Sequence, residues 1–425
     1  MPDTLIINGY VLTMDADFTD HPSGGIAITE GKISAVGNVS GLEAAQVIDA
    51  KGGLIIPGLI NTHCHAAMTL FRGLADDRPL DQFLQTVWAA EGAHITPDTV
   101  HIGATLGAAE MALGGVTHFV DMYWHFESTI AAAADIGIGL TTGPVFIAFD
   151  GVDQLPWESR VTAVEEAIAT RGDTHMMLMP HSCYTMDAAK LSTVADLASQ
   201  HSLPIHIHAA EAPSEMSQVQ DIYGKRPVQV MEEAGLLNQP TLIAHAVHLD
   251  DSEIETLART KATVAHNPLS NAKLASGTMR THDMAQAGIP LSLGTDGPSS
   301  GNDLDMWQTM RHASFMNINA TGKADSLPAR DIFAMATRGG AAAIGLADRK
   351  GTLEIGKDAD IAVVDMTGLH MIPSYDPYST LVYTAGRSDV AQVFARGVQV
   401  VADKRLTVDI RDTVAEVHRL KALIA

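Results

Sequence analysis

The stretch LIIPGLINTHCH at residues 54–65 joins an apolar run to a pair of histidines. The run at 54–60 is short and almost wholly apolar, which is typical of a strand buried in a parallel sheet. Successive side chains of an extended chain alternate, so His63 and His65 point to the same side. The segment therefore predicts a buried strand whose carboxyl end presents two imidazoles together.

Seven further apolar runs follow, and longer alanine-rich stretches separate them. The runs lie at 116–123, 138–146, 176–180, 204–208, 241–247, 262–266 and 289–294, and the helix candidates include 97–113, 160–170, 187–200, 250–260 and 303–318. Eight strand–helix units over about 290 residues predict an α/β fold, a (β/α)8 TIM-like barrel at 58–349. A doubly wound open sheet is the alternative, but we find no Gly-x-Gly-x-x-Gly fingerprint that opens a helix after a strand.

The two ends of the chain have a different texture, with short strands and tight turns. Asn8-Gly9 is a hairpin signal, and strand-like runs recur at 360–364, 390–394 and 398–401. Each end is too thin to enclose a core of its own. We therefore predict a small composite β-sandwich domain formed by residues 1–57 and 350–425.

The composition excludes several classes of protein. The 425 residues include 27 Lys+Arg and 50 Asp+Glu, a formal net charge of −23, and 46% of them are hydrophobic, which excludes wholesale disorder. An acidic surface repels phosphate backbones, so we expect no nucleic-acid partner. Cys64 and Cys183 cannot form a disulfide framework. We find no signal-peptide pattern and no apolar run of about 18 residues, so we expect a cytoplasmic protein without a membrane span.

A barrel places catalytic groups at the carboxyl ends of its strands. Polar residues able to bind a metal follow six of the eight runs, at 61–65, 181, 206–211, 245–248, 266 and 296. One His-x-His pair alone is more often structural than a ligand. The whole set favours a metal site, because a nitrogen and oxygen donor set of His63, His65, His208 and Asp296 suits Zn²⁺ or Fe²⁺.

The remaining polar residues divide into catalytic and structural candidates. Glu211 lies three residues beyond His208, where a carboxyl group can act as a general acid/base without ligating the metal. An ordinary surface glutamate is the alternative. His245 can orient a water molecule, whereas we interpret three other histidines as structural: His206, His248 and His266. Runs two to four and their exits hold no lysine to bridge two metals, so we expect one divalent ion per subunit.

With these motifs the sequence resembles the amidohydrolase superfamily over nearly its whole length. The motifs are PGLINTHCH (57–65), HIHAAE (206–211), IAHAVHL (243–249), HNPLSNAKLASG (266–277), LGTDG (293–297) and KGTLEIGKDADIAVVD (350–365). The segments at 61–84 and 119–125 are similar to a branch of aminohydrolases that includes 5-methylthioadenosine/S-adenosylhomocysteine deaminases.

The resemblance implies a metal-dependent deaminase that converts 5′-methylthioadenosine, adenosine or S-adenosylhomocysteine to the inosine analogue and ammonia. It implies a homo-oligomer. We expect the ion to be Zn²⁺, with Fe²⁺ as the alternative. The metal ligands it implies are His63, His65, His208 and Asp296. The catalytic residues it implies are Glu211, His245 and Asp296, and the substrate contacts are Trp88, Glu91, Arg160 and His181. The stretch 138–151 lacks an arginine that the family uses for the homocysteine carboxylate, so a neutral tail is easier to accommodate.

Three other functions stay open from the sequence. The first is an aminohydrolase or chlorohydrolase of another N-heterocycle, such as guanine, cytosine, a pterin or an s-triazine. Glu91 bears on this choice, because a carboxylate that holds ribose is of little use to a bare base. The second is ring opening of the hydantoinase type, against which the missing lysine argues. The third is a non-catalytic binding protein.

Overall fold

A computed structural model describes residues 1–78, 80–172 and 174–424. Numbered along the chain, its strands are β1 (Thr4–Leu12), β2 (Asp20–Thr29), β3 (Lys32–Gly37), β4 (Gln46–Asp49), β5 (Leu54–Pro57), β6 (Leu59–Cys64), β7 (Val116–Asp121), β8 (Gly139–Thr142), β9 (Val145–Phe146), β10 (His175–Met176), β11 (Met179–Pro180), β12 (Ile205–Ala209), β13 (Thr241–His245), β14 (Ala262–His266), β15 (Leu291–Leu293), β16 (Ile361–Val364), β17 (Val390–Ala395), β18 (Val398–Ala402) and β19 (Arg405–Leu406).

The helices of the described ranges lie mainly between the strands of the central part of the chain. They are α1 (Leu80–His94), α2 (Pro97–Leu113), α3 (Phe126–Ile136), α4 (Trp157–Thr170), α5 (Ala188–His201), α6 (Pro213–Tyr223), α7 (Pro227–Glu233), α8 (Asp251–Ala258), α9 (Pro268–Lys273), α10 (Thr281–Gln286), α11 (Met306–Thr321), α12 (Ala329–Met335), α13 (Arg338–Ala343), α14 (Pro377–Ser379) and α15 (Arg411–Ile424). None of these helices combines the length and the apolar character that a bilayer crossing demands.

Each of the eight apolar runs contains at least one strand. Strands β6, β7, β8 and β10 form one parallel sheet, β12 to β15 form a second, and β9 pairs with β11. Within the described residues, strand pairing does not join these sheets into a closed ring. The alternation of parallel strands with helices agrees with the α/β prediction.

The first apolar run contains two strands that belong to different sheets. Strand β5 pairs antiparallel with β16, whereas β6 pairs in parallel with β7. The break falls at Pro57-Gly58. A β-carbon on Gly58 would lie 2.2 Å from the Thr117 hydroxyl oxygen, so only glycine permits this close approach. The pattern of apolar residues does not reveal this change of sheet, because both strands are fully buried.

Strands from the two ends of the chain pair in one nine-stranded sheet. Its order is β19-β18-β17-β16-β5-β1-β2-β3, with β4 beside β1. Ile6, Ile55, Ile361 and Phe394 lie in one buried cluster on this sheet, which therefore draws its core from both ends. Helix α15 packs against α2 instead. The division into domains at 57/58 and 349/350 stays a prediction.

Backbone hydrogen bonds bring the exits of several parallel strands together. The Asp296 amide donates to the His63 carbonyl oxygen at 3.0 Å, which joins the exit of β15 to that of β6. The His208 amide donates to the His181 carbonyl oxygen at 3.1 Å, which joins β12 to β11. The polar residues that follow the apolar runs thus gather at the carboxyl ends of the strands.

Candidate active site

Four histidines and one aspartate converge at the strand exits. Candidate ligand atoms of His63, His65 and His208 lie within 4.8 Å of one another, and so do those of His63, His245 and Asp296. The Asp296 Oδ1 atom lies 3.4 Å from His63 Nε2 and 3.2 Å from His65 Nε2. The predicted ligands are therefore close enough to share one ion, and His245 lies beside them.

Hydrogen bonds fix which nitrogen of each ligand ring faces the centre. His65 Nδ1 donates to the Met122 carbonyl oxygen at 2.6 Å, and His208 Nδ1 donates to the His181 carbonyl oxygen at 2.8 Å. A carbonyl oxygen only accepts, so each Nδ1 carries the hydrogen when the ring is neutral. In that neutral form, Nε2 of both rings presents a lone pair toward the centre, as metal ligation requires.

His63 is oriented by a second histidine, His206. His206 Nδ1 donates to the Leu242 carbonyl oxygen at 3.0 Å, and burial lowers the pKa of His206 to about 4. Its neutral ring therefore accepts a hydrogen bond from His63 Nδ1, at 2.8 Å. His63 Nε2 is buried and has no hydrogen-bond partner. An unpartnered buried nitrogen among other donors fits a metal ion, and His206 orients a candidate ligand in addition to filling the core.

Glu211 reaches the same centre without joining the candidate ligand groups. Its carboxyl oxygen lies 3.9 Å from His245 Nδ1. Burial raises the pKa of Glu211, and the Asp296 carboxylate raises it further, while His245 opposes both effects. A carboxyl group with a raised pKa keeps its proton to a higher pH than usual, which suits a group that delivers a proton to a substrate.

Glu215 holds the turn that carries Glu211, and the sequence interpretation did not include it. Its carboxylate oxygens accept the backbone N–H of Ala210 at 3.0 Å and that of Glu211 at 2.6 Å. Glu215 is 2% exposed, and burial raises its pKa to about 7. The available signal was a glutamate in the first turn of α6, four residues after Glu211.

His245 has its own orienting partner. Its Nδ1 atom contacts the Asn271 side-chain oxygen at 2.9 Å, so Nδ1 donates there. Ser300 similarly donates to Asp296 Oδ2 at 2.8 Å. Asn271 lies in the motif at 266–277, in which the sequence interpretation assigned no catalytic or binding role to any residue.

A cavity of about 310 Å³ opens above this centre, a volume within the range of small-molecule sites. Trp88 and Glu91, both on α1, line it. Glu91 is 1% exposed and accepts a hydrogen bond from the Tyr123 hydroxyl at 2.6 Å. Burial raises the pKa of Glu91 to about 7, although the Tyr123 hydrogen bond opposes this shift. His181 also lines the cavity, with its ring centroid 6.4 Å from that of Trp88.

Arg160 differs from the other predicted substrate contacts, because it is not among the residues that line the cavity. It is 2% exposed, and its guanidinium donates to both oxygens of Asp153, at 2.8 and 2.5 Å. It also donates to the Val145 carbonyl oxygen at 3.2 Å. Arg160 thus anchors residues 149–154, which we call the rim loop and five of which line the cavity. A direct contact of Arg160 with substrate stays a prediction.

The other two histidines interpreted as structural lie apart from the candidate ligand groups. His248 Nε2 donates to the Ser276 carbonyl oxygen at 2.6 Å. His266 is buried at the end of β14, and burial lowers its pKa to about 3. Neither residue lines the cavity.

Histidines and a buried carboxylate that meet at the carboxyl ends of parallel strands define a metal-dependent hydrolase of the α/β class. The match to a family model is consistent with that class. The chain belongs to the amidohydrolase family, whose model matches residues 54–400. The resemblance drawn from the sequence motifs is thereby confirmed.

Two relatives are similar over nearly their whole length. A 5-methylthioadenosine/S-adenosylhomocysteine deaminase of Syntrophobacter fumaroxidans is 39% identical over 412 residues, 95% of this chain and 94% of the relative. A 5′-deoxyadenosine deaminase of Methanosarcina mazei is 38% identical over 413 residues, 96% of this chain and 95% of the relative.

A solved structure agrees with these relatives. It is an adenosine deaminase from Xanthomonas campestris with bound zinc, 32% identical, with a TM-score of 0.97. The match covers 100% of this chain and 98% of that one. The family and this likeness give the chain a TIM-barrel fold of the α/β class and a site for a divalent metal ion.

Proposed function

We propose that the chain is a metal-dependent deaminase of adenine nucleosides, which releases ammonia and leaves the inosine analogue. The observation that carries the proposal is the meeting of two groups of residues in one cavity. One group comprises three candidate metal ligands, His65, His208 and Asp296, with Glu211, and the other comprises Glu91 and Trp88. The first group suits hydrolysis of a C–N bond, and the second suits a ribose and its base.

The relatives support the nucleoside as substrate. The two relatives described above and the solved zinc-bound structure are all named as deaminases of adenine nucleosides, and they match 95% or more of this chain. The prediction of a hydrolytic deaminase of an adenine nucleoside is thus confirmed at the level of substrate class. Within that class we propose 5′-deoxyadenosine or 5′-methylthioadenosine, whose 5′ groups are uncharged.

One ion of zinc, held by His63, His65, His208 and Asp296, is the proposed cofactor. Three neutral imidazoles and a carboxylate match the donor types that zinc prefers. The unpartnered Nε2 of His63 and the Nδ1 hydrogen bonds of His65 and His208 support this set. When bound, such an ion lowers the pKa of water to about 7, which supplies a nucleophile near neutral pH.

The protein's own groups move the protons of the reaction. Asp296 accepts a proton from the attacking water as the oxygen atom of that water adds to C6 of the purine. Glu211 donates its proton to N1, which makes C6 electrophilic, and His245 stabilises the charge that develops on the oxygen. The proton taken up by Asp296 then reaches the exocyclic nitrogen, the C6–N bond breaks and ammonia leaves. The hydroxyl group on C6 becomes a carbonyl and returns its proton to Glu211. The raised pKa of Glu211 supports its role as the acid.

The walls of the cavity orient the nucleoside. The Glu91 carboxylate can accept hydrogen bonds from both ribose hydroxyls, and Tyr123 fixes its position. Trp88 is 38% exposed and offers a flat apolar face beside the base. We propose that His181 also contacts the nucleoside. Burial lowers its pKa to about 4, so its ring is neutral and offers a further hydrogen-bonding group.

The test is turnover by the Glu211→Gln protein. We expect deamination of 5′-deoxyadenosine, followed by ammonia release, to fall by at least about 10²-fold, while elemental analysis finds the same metal content as in the wild type. Glu255→Gln, which changes an exposed glutamate on α8, is the matched control and should keep full activity. Wild-type turnover by Glu211→Gln would remove Glu211 from the mechanism. A metal-loaded wild type that releases ammonia from guanine, cytosine or a triazine but from no adenine nucleoside would overturn the substrate class.

We further propose four features of the whole molecule. They are a closed eight-stranded barrel, a separate domain built from both ends of the chain, a homo-oligomer and a cytoplasmic location. The nine-stranded sheet supports the second of these. Light scattering coupled to size-exclusion chromatography measures the third, and a monomeric mass at micromolar concentration would contradict it.

A further inference from the structure

The cavity has a buried floor and an exposed rim. Asp296 is 5% exposed on the floor, and Glu91 is 1% exposed on the wall, whereas Phe149 in the rim loop is 52% exposed. Asp150, which follows Phe149, is also exposed and also lines the cavity. The floor and the rim are therefore two ends of one binding space.

The proposed reaction fixes which end of a nucleoside lies at each end of the cavity, and the inference rests on that proposed function. C6 of the purine must lie on the floor, beside Glu211 and the metal ligands. The 5′ substituent is at the opposite end of the molecule. It therefore extends toward the rim loop, and whatever charge it carries lies near Asp150.

The cavity has acidic side chains in its lining but no strongly basic ones among the described residues. Carboxyl groups line it at four positions, Glu91, Asp150, Glu211 and Asp296, and among the described residues no lysine or arginine does. A divalent ion on the floor would offset Asp296, but it would not neutralise the rim. The net charge of −23 adds to the repulsion of anions from outside.

The guanidinium nearest in the chain to the rim loop is not available to a ligand. Arg160 donates to both oxygens of Asp153 and to the Val145 carbonyl oxygen, and it is 2% exposed. Moving it toward the cavity would leave the Asp153 carboxylate without this partner, which is costly for a mostly buried group. Asp150, in contrast, is exposed and lines the cavity, and its carboxylate makes no hydrogen bond or ion pair with any described residue.

We infer that the rim loop selects nucleosides by the charge of the 5′ substituent, with Asp150 as the specificity-determining residue. Uncharged and cationic 5′ groups are accepted, and anionic 5′ groups are rejected. A 5′-phosphate or 5′-carboxylate would meet Asp150 with no basic side chain to receive it. An uncharged methyl or methylthio group can pack instead on Phe149 and Val152, which also line the rim.

The experiment compares three adenosine derivatives that differ only in the group at the 5′ position. They are 5′-deoxyadenosine, 5′-amino-5′-deoxyadenosine and adenosine 5′-monophosphate, which carry an uncharged, a cationic and an anionic 5′ group. We measure kcat/KM for each by ammonia release with the metal-loaded protein at neutral pH and low ionic strength. The phosphate should react at least about tenfold more slowly than 5′-deoxyadenosine, and the amine at least as fast as it.

Charge is separated from size by variants of Asp150. Asp150→Lys should raise kcat/KM for the phosphate and lower it for the amine, each by about three- to tenfold, and Asp150→Asn should shift both in the same directions by less. Asp196→Lys is the matched control, because Asp196 is exposed on α5 and outside the cavity, and the ratios should not change. A phosphate rejected for its size alone would stay rejected by Asp150→Lys.

The outcomes separate this inference from the function on which it rests. If 5′-deoxyadenosine is deaminated but the ratio of phosphate to amine is the same in wild type and both Asp150 variants, the selection by charge is wrong and the deaminase stands. Equal rates for all three nucleosides in the wild type lead to the same conclusion. If none of them is deaminated by the metal-loaded protein, the proposed function fails and the inference fails with it.

Discussion

Replacement of Glu215 by glutamine should slow deamination without removing the metal. Glu215 does not line the cavity, so it does not touch the substrate. Its carboxylate instead accepts the backbone N–H groups of Ala210 and Glu211, at 3.0 and 2.6 Å. Glutamine has nearly the same size but only one oxygen, so one of these two N–H groups must face an NH2 group.

The size of the effect follows from these two hydrogen bonds. A buried N–H that loses its acceptor costs about 1–3 kcal/mol, and the other bond loses about 1 kcal/mol when its acceptor is no longer charged. The total is about 2–4 kcal/mol, acting on the turn that holds Glu211. If the whole loss appears in the activation free energy, kcat falls about 30- to 1,000-fold, since each 1.36 kcal/mol corresponds to a factor of ten.

The assay is ammonia release at saturating 5′-deoxyadenosine, with metal content measured on the same sample. We expect a lower kcat, an almost unchanged KM and a full complement of metal, because the ligands and the cavity walls are intact. Glu255→Gln on α8 again serves as the control. A kcat within about threefold of the wild type, with metal bound, would show that the Glu215 carboxylate does not position Glu211.

Three further changes test other parts of the site. His63→Ala should lose at least about nine-tenths of the metal, by elemental analysis, whereas His266→Ala should retain it because His266 is not among the candidate ligands. The pKa of Glu91 is about 7, so its ionised, hydrogen-bond-accepting form rises with pH, and KM for a nucleoside should fall about tenfold from pH 6 to pH 8. In Glu91→Gln this pH dependence should disappear, and its persistence would assign the titration to another group. Arg160→Met removes both hydrogen bonds to Asp153 and should raise KM several-fold with little change in kcat; an equal loss in both constants would point to a wider disturbance of the fold.

The parts of the fold that could be predicted from the sequence are those with a local pattern. Buried parallel strands are short and apolar, and each of the eight runs contains a strand. The helix predicted at 97–113 matches α2 at both ends, because Thr96 caps it, Pro97 begins it and Gly114 follows it. Helix α1, which carries Trp88 and Glu91, is an additional helix between the run at 54–60 and the helix predicted at 97–113, and the alternation of one strand with one helix does not predict it.

The contacts between distant segments could not be predicted in the same way. His206 was interpreted as a core histidine, but it lies 2.8 Å from His63, which is 143 positions away in the chain. That contact depends on how the sheet containing β6 meets the sheet containing β12, and the pattern of each strand alone carries no information about it. The same holds for Arg160, whose pairing with Asp153 depends on the path of the rim loop.

The backbone at the site shows why local preference is a poor guide there. Ala210, His245 and Asp296 adopt left-handed conformations, with φ of 54°, 76° and 62°, which non-glycine residues rarely do. Each lies at the exit of a strand, where the chain must turn so that a side chain reaches the cavity. Glycine would relieve the strain, but it has no imidazole or carboxylate to offer at two of these positions. The strain must therefore be offset by tertiary contacts, among them the two hydrogen bonds to Glu215, so local sequence preference fails at the residues with proposed roles in catalysis.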